Sequence, residues 1–171
     1  MKNLQIEEIY ELYTQTAGVC TDTRNILQGG MFFALKGETF NGNAFAVAAL
    51  EGGAAYAVVD EPQVEEAAPG QIILVEDVLV ALQQMARHHR KQFRIPVVAL
   101  TGTNGKTTTK ELVAACLAKK YNVVATQGNL NNHIGVPLTL LRLNAETQAA
   151  VIEMGASNPG EIETLVKLVC P

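Results

Sequence analysis

Apolar positions recur at helical spacing in some stretches and run continuously in others, and the two patterns divide the chain into elements. Ile6, Ile9, Tyr10 and Tyr13 predict a short first helix. Gly18-Val19-Cys20-Thr21 predicts a short strand, Gln28-Gly29-Gly30 a turn and Met31 to Leu35 a strand. Asn41-Gly42-Asn43 reads as another turn. Ala44 to Leu50 reads as a helix that stops at Gly52-Gly53. Ala55 to Val59 and Ile72 to Val75 are predicted buried strands, separated by an acidic loop from Asp60 to Gly70. Val78 to Lys91 has the pattern of an amphipathic helix with Leu79, Leu82 and Met85 inward.

Arg94-Ile95-Pro96 resets the pattern. Val97 to Leu100 is a continuous apolar run, of the kind buried on both faces in a parallel sheet. A Gly-rich turn, a helix from Lys106 to Lys119 and a strand at Asn122 to Ala125 follow, which is one βαβ unit with an expected right-handed crossover. Gln148 to Glu153 predicts a further strand. Asn158-Pro159 opens a last helix with Pro at its first position and Glu161 and Glu163 near its positive end. The fold class is therefore α/β. A small mixed α/β N-terminal domain, residues 1–93, precedes an incomplete phosphate-loop parallel-sheet domain, residues 94–171. Three strands are few for such a domain, and the chain stops at apolar Leu168-Val169-Cys170-Pro171. The expectation is the N-terminal part of a longer enzyme, with the apolar faces of Leu165, Val166 and Val169 left exposed.

Composition narrows the classes. Hydrophobic residues are 48% of the 171 and charged residues 18%, enough apolar material for a core. The net charge of −4 lacks the footprint of a general nucleic-acid binder. The longest apolar run, Ile95 to Leu100, is too short to span a bilayer. The acidic, polar N-terminus has no signal-peptide pattern. Cys20, Cys116 and Cys170 are odd in number and far apart, and read as reduced thiols of a cytoplasmic protein.

The strongest chemical signal is Thr101-Gly102-Thr103-Asn104-Gly105-Lys106-Thr107-Thr108, between a strand and a helix. Gly102 and Gly105 let the backbone turn and bring N–H groups against phosphate oxygens, and the helix N-terminus adds partial positive charge. Lys106 reaches the β/γ-phosphates, and the Thr107 hydroxyl can ligate Mg²⁺. The loop is a shortened variant, since Leu100 stands where the general pattern has its first Gly.

The run Val98 to Thr108 resembles the ATP loop of the Mur ligases, which build the peptide stem of cell-wall precursors. Thr21-Asp22-Thr23-Arg24 and Gly30 to Gly37 resemble the first-domain signature of members that bind the UDP-sugar end of the substrate. Gln127 to Pro137 and Val151 to Ala156 resemble the D-alanyl-D-alanine-adding branch. The tripeptide-stage branch would have Ser-Ser-His after the Glu, where Gly155-Ala156-Ser157 stands. The resemblance covers essentially the whole chain and implies a much longer monomeric enzyme. It implies that ATP, with Mg²⁺, phosphorylates the carboxylate of UDP-MurNAc-tripeptide, and that D-alanyl-D-alanine attacks the acyl phosphate. Lys106 would then be the catalytic group, Gly102 to Thr108 the ATP site, and residues 1–93 the UDP-sugar domain. The alternatives are another Mur-type ligase, or a non-catalytic nucleotide-binding module. One departure stands out: the family often has Asp-Gly-His where Asn41-Gly42-Asn43 occurs.

Other candidates keep two readings each. Glu153, ending an apolar strand, faces the ligand side of an α/β sheet and suits Mg²⁺, or is a solvated strand end. Asn129, Asn131 and Asn132 bond substrate, or satisfy their own loop. Asp22, Thr23 and Arg24 hold a uridine diphosphate, with Arg24 on phosphate, or form a turn cap with a surface Arg. His88 and His89 read as a solvated helix face, and His133 as structural.

Overall fold

In the computed structural model, residues 5–65 and 68–171 are described. They form two units, Met1–Met85 and Ala86–Pro171.

In the first unit, helix α1 (Ile6–Tyr13) starts at a capping box in which the Gln5 N–H donates to the Glu8 carboxylate at 2.7 Å. Strands β1 (Val19–Cys20), β2 (Met31–Phe33), β5 (Tyr56–Val59) and β6 (Ile72–Leu74) form one parallel sheet in the order β1-β2-β5-β6. Phe32, Ala57 and Val59 pack with Ala46 and Ala49 of helix α2 (Ala46–Glu51) to make its core. Between β2 and α2 lies a small antiparallel hairpin, β3 (Lys36–Gly37) with β4 (Phe40–Asn41), and a 3₁₀ turn at Gly42–Phe45. The expected Asn41-Gly42-Asn43 turn is thus the end of a strand and the start of that 3₁₀ turn. The Asn41 side chain accepts from the Asn43 N–H at 3.1 Å, which caps it. The expected loop from Asp60 to Gly70 contains a short helix, α3 (Pro62–Glu65), while its residues 66 and 67 lie outside the described ones.

Helix α4 (Val78–Lys91) contributes to both units. Its buried face in the first unit is Val78, Ala81, Leu82 and Met85, while Leu79 is only half-buried. The division falls within this helix rather than after Phe93, because its last turn is tied into the second unit. There His89 is buried and its Nε2 lies 2.9 Å from the Leu143 carbonyl oxygen. Arg90 donates from Nε to the Val169 oxygen at 3.0 Å and from Nη2 to the Cys170 oxygen at 3.1 Å. These bonds satisfy carbonyls at the end of the last helix. His89 is therefore a core residue and not part of a solvated face, and burial lowers its pKa.

In the second unit, β7 (Val97–Leu100), β8 (Val123–Ala125) and β9 (Ala149–Glu153) form a parallel sheet in the order β7-β9-β8. Helices α5 (Lys106–Leu117), α6 (Gly135–Leu140) and α7 (Glu161–Val169) accompany it. Residues Ala149 to Glu153 are all buried, so β9 is the fully covered central strand. β7 pairs on one side only among the described residues, and Val98 is 42% exposed. The expectation of burial on both faces belonged to the wrong strand. The first β-α-β step also spans a gap, since β9 lies between β7 and β8. Helix α7 begins after Pro159: Gly160 is its N-cap and the Glu161 carboxylate accepts the Ser157 and Asn158 N–H groups. Leu165 and Val169 are buried, and only Val166 of the face expected to be bare is exposed.

Candidate functional site

Parallel strands deliver their carboxyl ends to one rim, and in the second unit that rim carries the polar chemistry. The loop after β7 turns through Gly102 (φ +152°) and Gly105 (φ +74°) and leads into α5. Only residues without a Cβ hold such φ values at low strain, so the two glycines match the backbone they stand on. Gly105 is the N-cap of α5 and contributes no side-chain bond, which leaves the first amides of the helix for an anion. Thr103, Asn104, Thr107 and Thr108 are exposed. The Lys106 ammonium folds back onto its own loop and donates to the Gly102 oxygen at 2.6 Å.

Glu153 ends β9 opposite Leu100, the last residue before the loop. Its side chain is not a solvated strand end: the residue is 1% exposed. One carboxylate oxygen, Oε1, accepts from Asn131 Nδ2 at 2.8 Å and lies 3.3 Å from the Thr107 hydroxyl, which donates to it. The other, Oε2, is buried with no hydrogen-bond partner among the described residues. A buried carboxylate oxygen without a donor is costly, and this one stands beside the phosphate loop. The fold thus brings together Thr107, Asn131 and Glu153.

Asn131 is held by the Gly155 N–H, which donates to its carbonyl at 2.7 Å. Asn132 takes the other reading offered by the sequence: its Oδ1 accepts the Ile134 and Gly135 N–H groups at 3.1 and 2.9 Å, capping α6. Asn129 is exposed. Lys106, Asn129, Asn131, Asn132 and His133 nevertheless line one polar cleft of about 490 Å³ with the segment Gly155 to Asn158 and Glu161. Hydrogen bonds from the Asn158 side chain and from the Ser157 and Asn158 amides hold the Glu161 pKa low. Ser157 and Glu161 entered the sequence reading only as part of a family comparison and as a helix-end charge, not as site residues. The sequence did not mark Thr126, whose hydroxyl accepts the Glu153 N–H at 2.9 Å.

The first unit has a separate cleft of about 610 Å³, lined by Thr21, Asp22, Thr23, Arg24, Phe40 and Phe45. Asp22 caps a 3₁₀ turn at Thr23–Asn25 and grips Arg24, with Nη2 donating to Oδ2 at 2.6 Å and Nε to Oδ1 at 2.9 Å. The Arg24 hydrogen bonds hold the Asp22 pKa down at about 2. The Arg24 side chain is 86% exposed, so the cap reading and an anion-binding reading are compatible. Phe40 and Phe45 stack with ring centroids 5.4 Å apart, an apolar wall absent from the sequence reading. Gly42 and Asn43 are buried while Asn41 is exposed; Asn43 is 2% exposed and donates to Asp60 at 2.8 Å.

Residues 100–171 match the Mur ligase middle domain, and residues 15–90 match the Mur ligase family catalytic domain. The chain is 45% identical to the UDP-N-acetylmuramoyl-tripeptide--D-alanyl-D-alanine ligase of Bacillus subtilis (strain 168) over 93% of its own length and 35% of that protein's. It is 46% identical to the ligase of the same name from Escherichia coli (strain K12), over 90% of this chain and 33% of that one. The chain thus spans about a third of the length of these relatives. Among solved structures, MurF from Acinetobacter baumannii superposes with a TM-score of 0.82 at 36% identity, covering 94% of this chain and 38% of that one. MurF from Thermotoga maritima in complex with ADP gives 0.80 at 35% identity, covering 92% and 36%. With a phosphate loop facing a buried carboxylate, and with both units matched, the chain belongs to the Mur ligase family.

Proposed function

We propose that this chain is the substrate-nucleotide and ATP-loop portion of an ATP-dependent amide ligase that joins D-alanyl-D-alanine to UDP-MurNAc-tripeptide. The observation that carries the reading is the Glu153 carboxylate, buried beside Thr107 with one oxygen unpartnered. Relatives bearing the name of that ligase, and a neighbour solved with ADP, favour the same assignment.

The loop amides and Lys106 bind the phosphates of ATP, and Lys106 leaves the Gly102 carbonyl to do so. Thr107 and Glu153 would hold Mg²⁺. Mg²⁺ is commonly held by one or two protein oxygens plus substrate phosphates, and Thr107 and Glu153 would supply the protein share. Bound there, the ion supplies charge neutralisation on the transferred phosphoryl group. The γ-phosphoryl group passes from ATP to the tripeptide carboxylate, releasing ADP. The amine of D-alanyl-D-alanine attacks the acyl phosphate, losing a proton as phosphate departs and the amide forms. Asn131 keeps Glu153 in place, and the cleft from Asn129 to His133 faces the reacting carboxylate. Thr23 and Arg24 receive the uridine diphosphate. No described helix is long and apolar enough to cross a membrane, and the proposed setting is a cytoplasmic monomer.

The test is Lys106→Ala. In the 171-residue chain, Mg·ATP should shift the Gly105 and Thr107 amides, and the variant should lose that response with an unchanged melting temperature. In the whole enzyme, ADP release driven by the tripeptide precursor and D-alanyl-D-alanine should fall on the order of 10²–10³-fold or more. Near-normal turnover in the variant overturns the assignment.

A further inference from the structure

Lys110 lies one turn beyond Lys106 on α5, yet its side chain is fully buried, at 0% exposure. A lysine is almost never that deep unless its charge is bound. Its Nζ donates to the Glu111 carboxylate at 2.6 Å and to the Thr126 carbonyl oxygen at 2.8 Å. The Glu111 side chain is 67% exposed, so that pair lies at the protein's edge, with only its lysine end buried. The bond to Thr126 is the buried one. Thr126 is 2% exposed and stands just past the end of β8. Its N–H donates to the Val151 oxygen at 3.0 Å, and its hydroxyl accepts the Glu153 N–H at 2.9 Å. A chain of bonds therefore runs from Lys110 through Thr126 to the backbone of the residue that carries the unpartnered Oε2.

We propose that Lys110 is a positioning residue for the phosphate–metal site, holding Glu153 in place through Thr126 without touching the nucleotide. The inference rests on the reading of the loop as a Mg·ATP site. Lys106 and Lys110 divide the work of one helix face: the first is aimed at the ligand, the second at the frame behind it. A metal ligand held by a fixed outer bond keeps its geometry when empty, and loss of such a bond weakens metal binding.

Lys110→Met and Thr126→Val, with Thr126→Ser as the conservative control, test this in the 171-residue chain. Met fills the buried volume but leaves the Thr126 carbonyl oxygen without its donor, so Lys110→Met should still fold, with a lowered melting temperature. Mg²⁺ titrated in at fixed ATP should show a midpoint weakened about tenfold in Lys110→Met and Thr126→Val, and near-parental in Thr126→Ser. Hydrogen exchange of the Glu153 amide, read with no ligand present, should quicken in the first two variants. Folded variants with parental Mg²⁺ midpoints and parental Glu153 exchange overturn the proposal. If Lys110→Met fails to fold, Thr126→Val decides alone. A loss in Lys110→Met without one in Thr126→Val overturns the route through Thr126. If the parent chain gives no Mg·ATP response, the reading of the loop itself fails, and the exchange measurement still judges the Lys110–Thr126–Glu153 link.

Discussion

Asn131 and Glu153 are joined side chain to side chain, with Nδ2 donating to Oε1 at 2.8 Å, inside a pocket where the second carboxylate oxygen has no donor. The amide can only donate from that nitrogen, so it occupies Oε1 and leaves Oε2 without a donor among the described residues.

Asn131→Ala should therefore act on both stability and ligand. Oε1 keeps only the longer contact from Thr107, and the loss of a bond to a buried charged group costs about 1–3 kcal/mol. Asn131→Asp should be worse, because it sets a second carboxylate against the first. Urea unfolding at neutral pH measures the order; an Asp variant as stable as the parent contradicts it.

Asp22 titrates far below an ordinary carboxylate, at about 2, through its hydrogen bonds from Arg24. A depressed folded pKa contributes stability above the unfolded value of about 3.8 and loses it as pH falls toward 2. Arg24→Ala should return the Asp22 midpoint to the usual range, read by carboxyl carbon shifts. An unchanged midpoint rules out Arg24 as the cause.

His89 has its pKa lowered, first by burial, with His88 adding to the effect. The unfolded chain thus takes up a proton at a higher pH than the folded one. The His89 contribution is intact above about 6.5 and declines as pH drops below it toward the lowered value. His89→Gln should flatten the stability–pH curve below about 6.5. A curve of parental slope refutes this.

A Cβ on Gly42 would lie 2.4 Å from the Leu35 carbonyl oxygen and 2.5 Å from the Ala34 carbonyl carbon. Backbone cannot give way there as a side-chain tip can. Gly42→Ala should destabilise the first unit by roughly 1–3 kcal/mol or more and disturb the neighbouring Asn43–Asp60 bonds. A melting temperature within a degree of the parent would falsify the close approach.

Millimolar UDP should shift the amides of Thr23 and Arg24, and the rings of Phe40 and Phe45 that line the same cleft. The 171-residue chain suffices for this titration. Silence at these positions removes the uridine diphosphate reading of the first unit.

The phosphate loop was legible because its chemistry is local: two glycines, a lysine and a threonine are contiguous, and their meaning needs only a strand before and a helix after. Glu153 was legible from its place at a strand end. What escaped the sequence was set by distant partners. His89 is buried because Leu143 offers it a carbonyl, and Lys110 because Thr126 does; a run of Arg, His and Lys looks solvated until those partners are known. Val97 to Leu100 has the apolar run of an inner strand, but pairing order decides which strand is inner, and here it is β9. The Asn41 cap on the Asn43 amide turned an expected turn into a strand end followed by a 3₁₀ turn.

The central strand also bears on how the chain finds its fold. Ala149 to Ile152 are apolar and buried on both faces, so a slip of one position would still bury apolar groups on either side. Glu153 helps to distinguish the alternatives, since its carboxylate meets Asn131 and Thr107 in a single alignment with Leu100. The candidate site therefore also contributes to the alignment of its own sheet. Replacing Glu153 by an aliphatic residue would remove one of the polar contacts that hold β9 in step with its two neighbours.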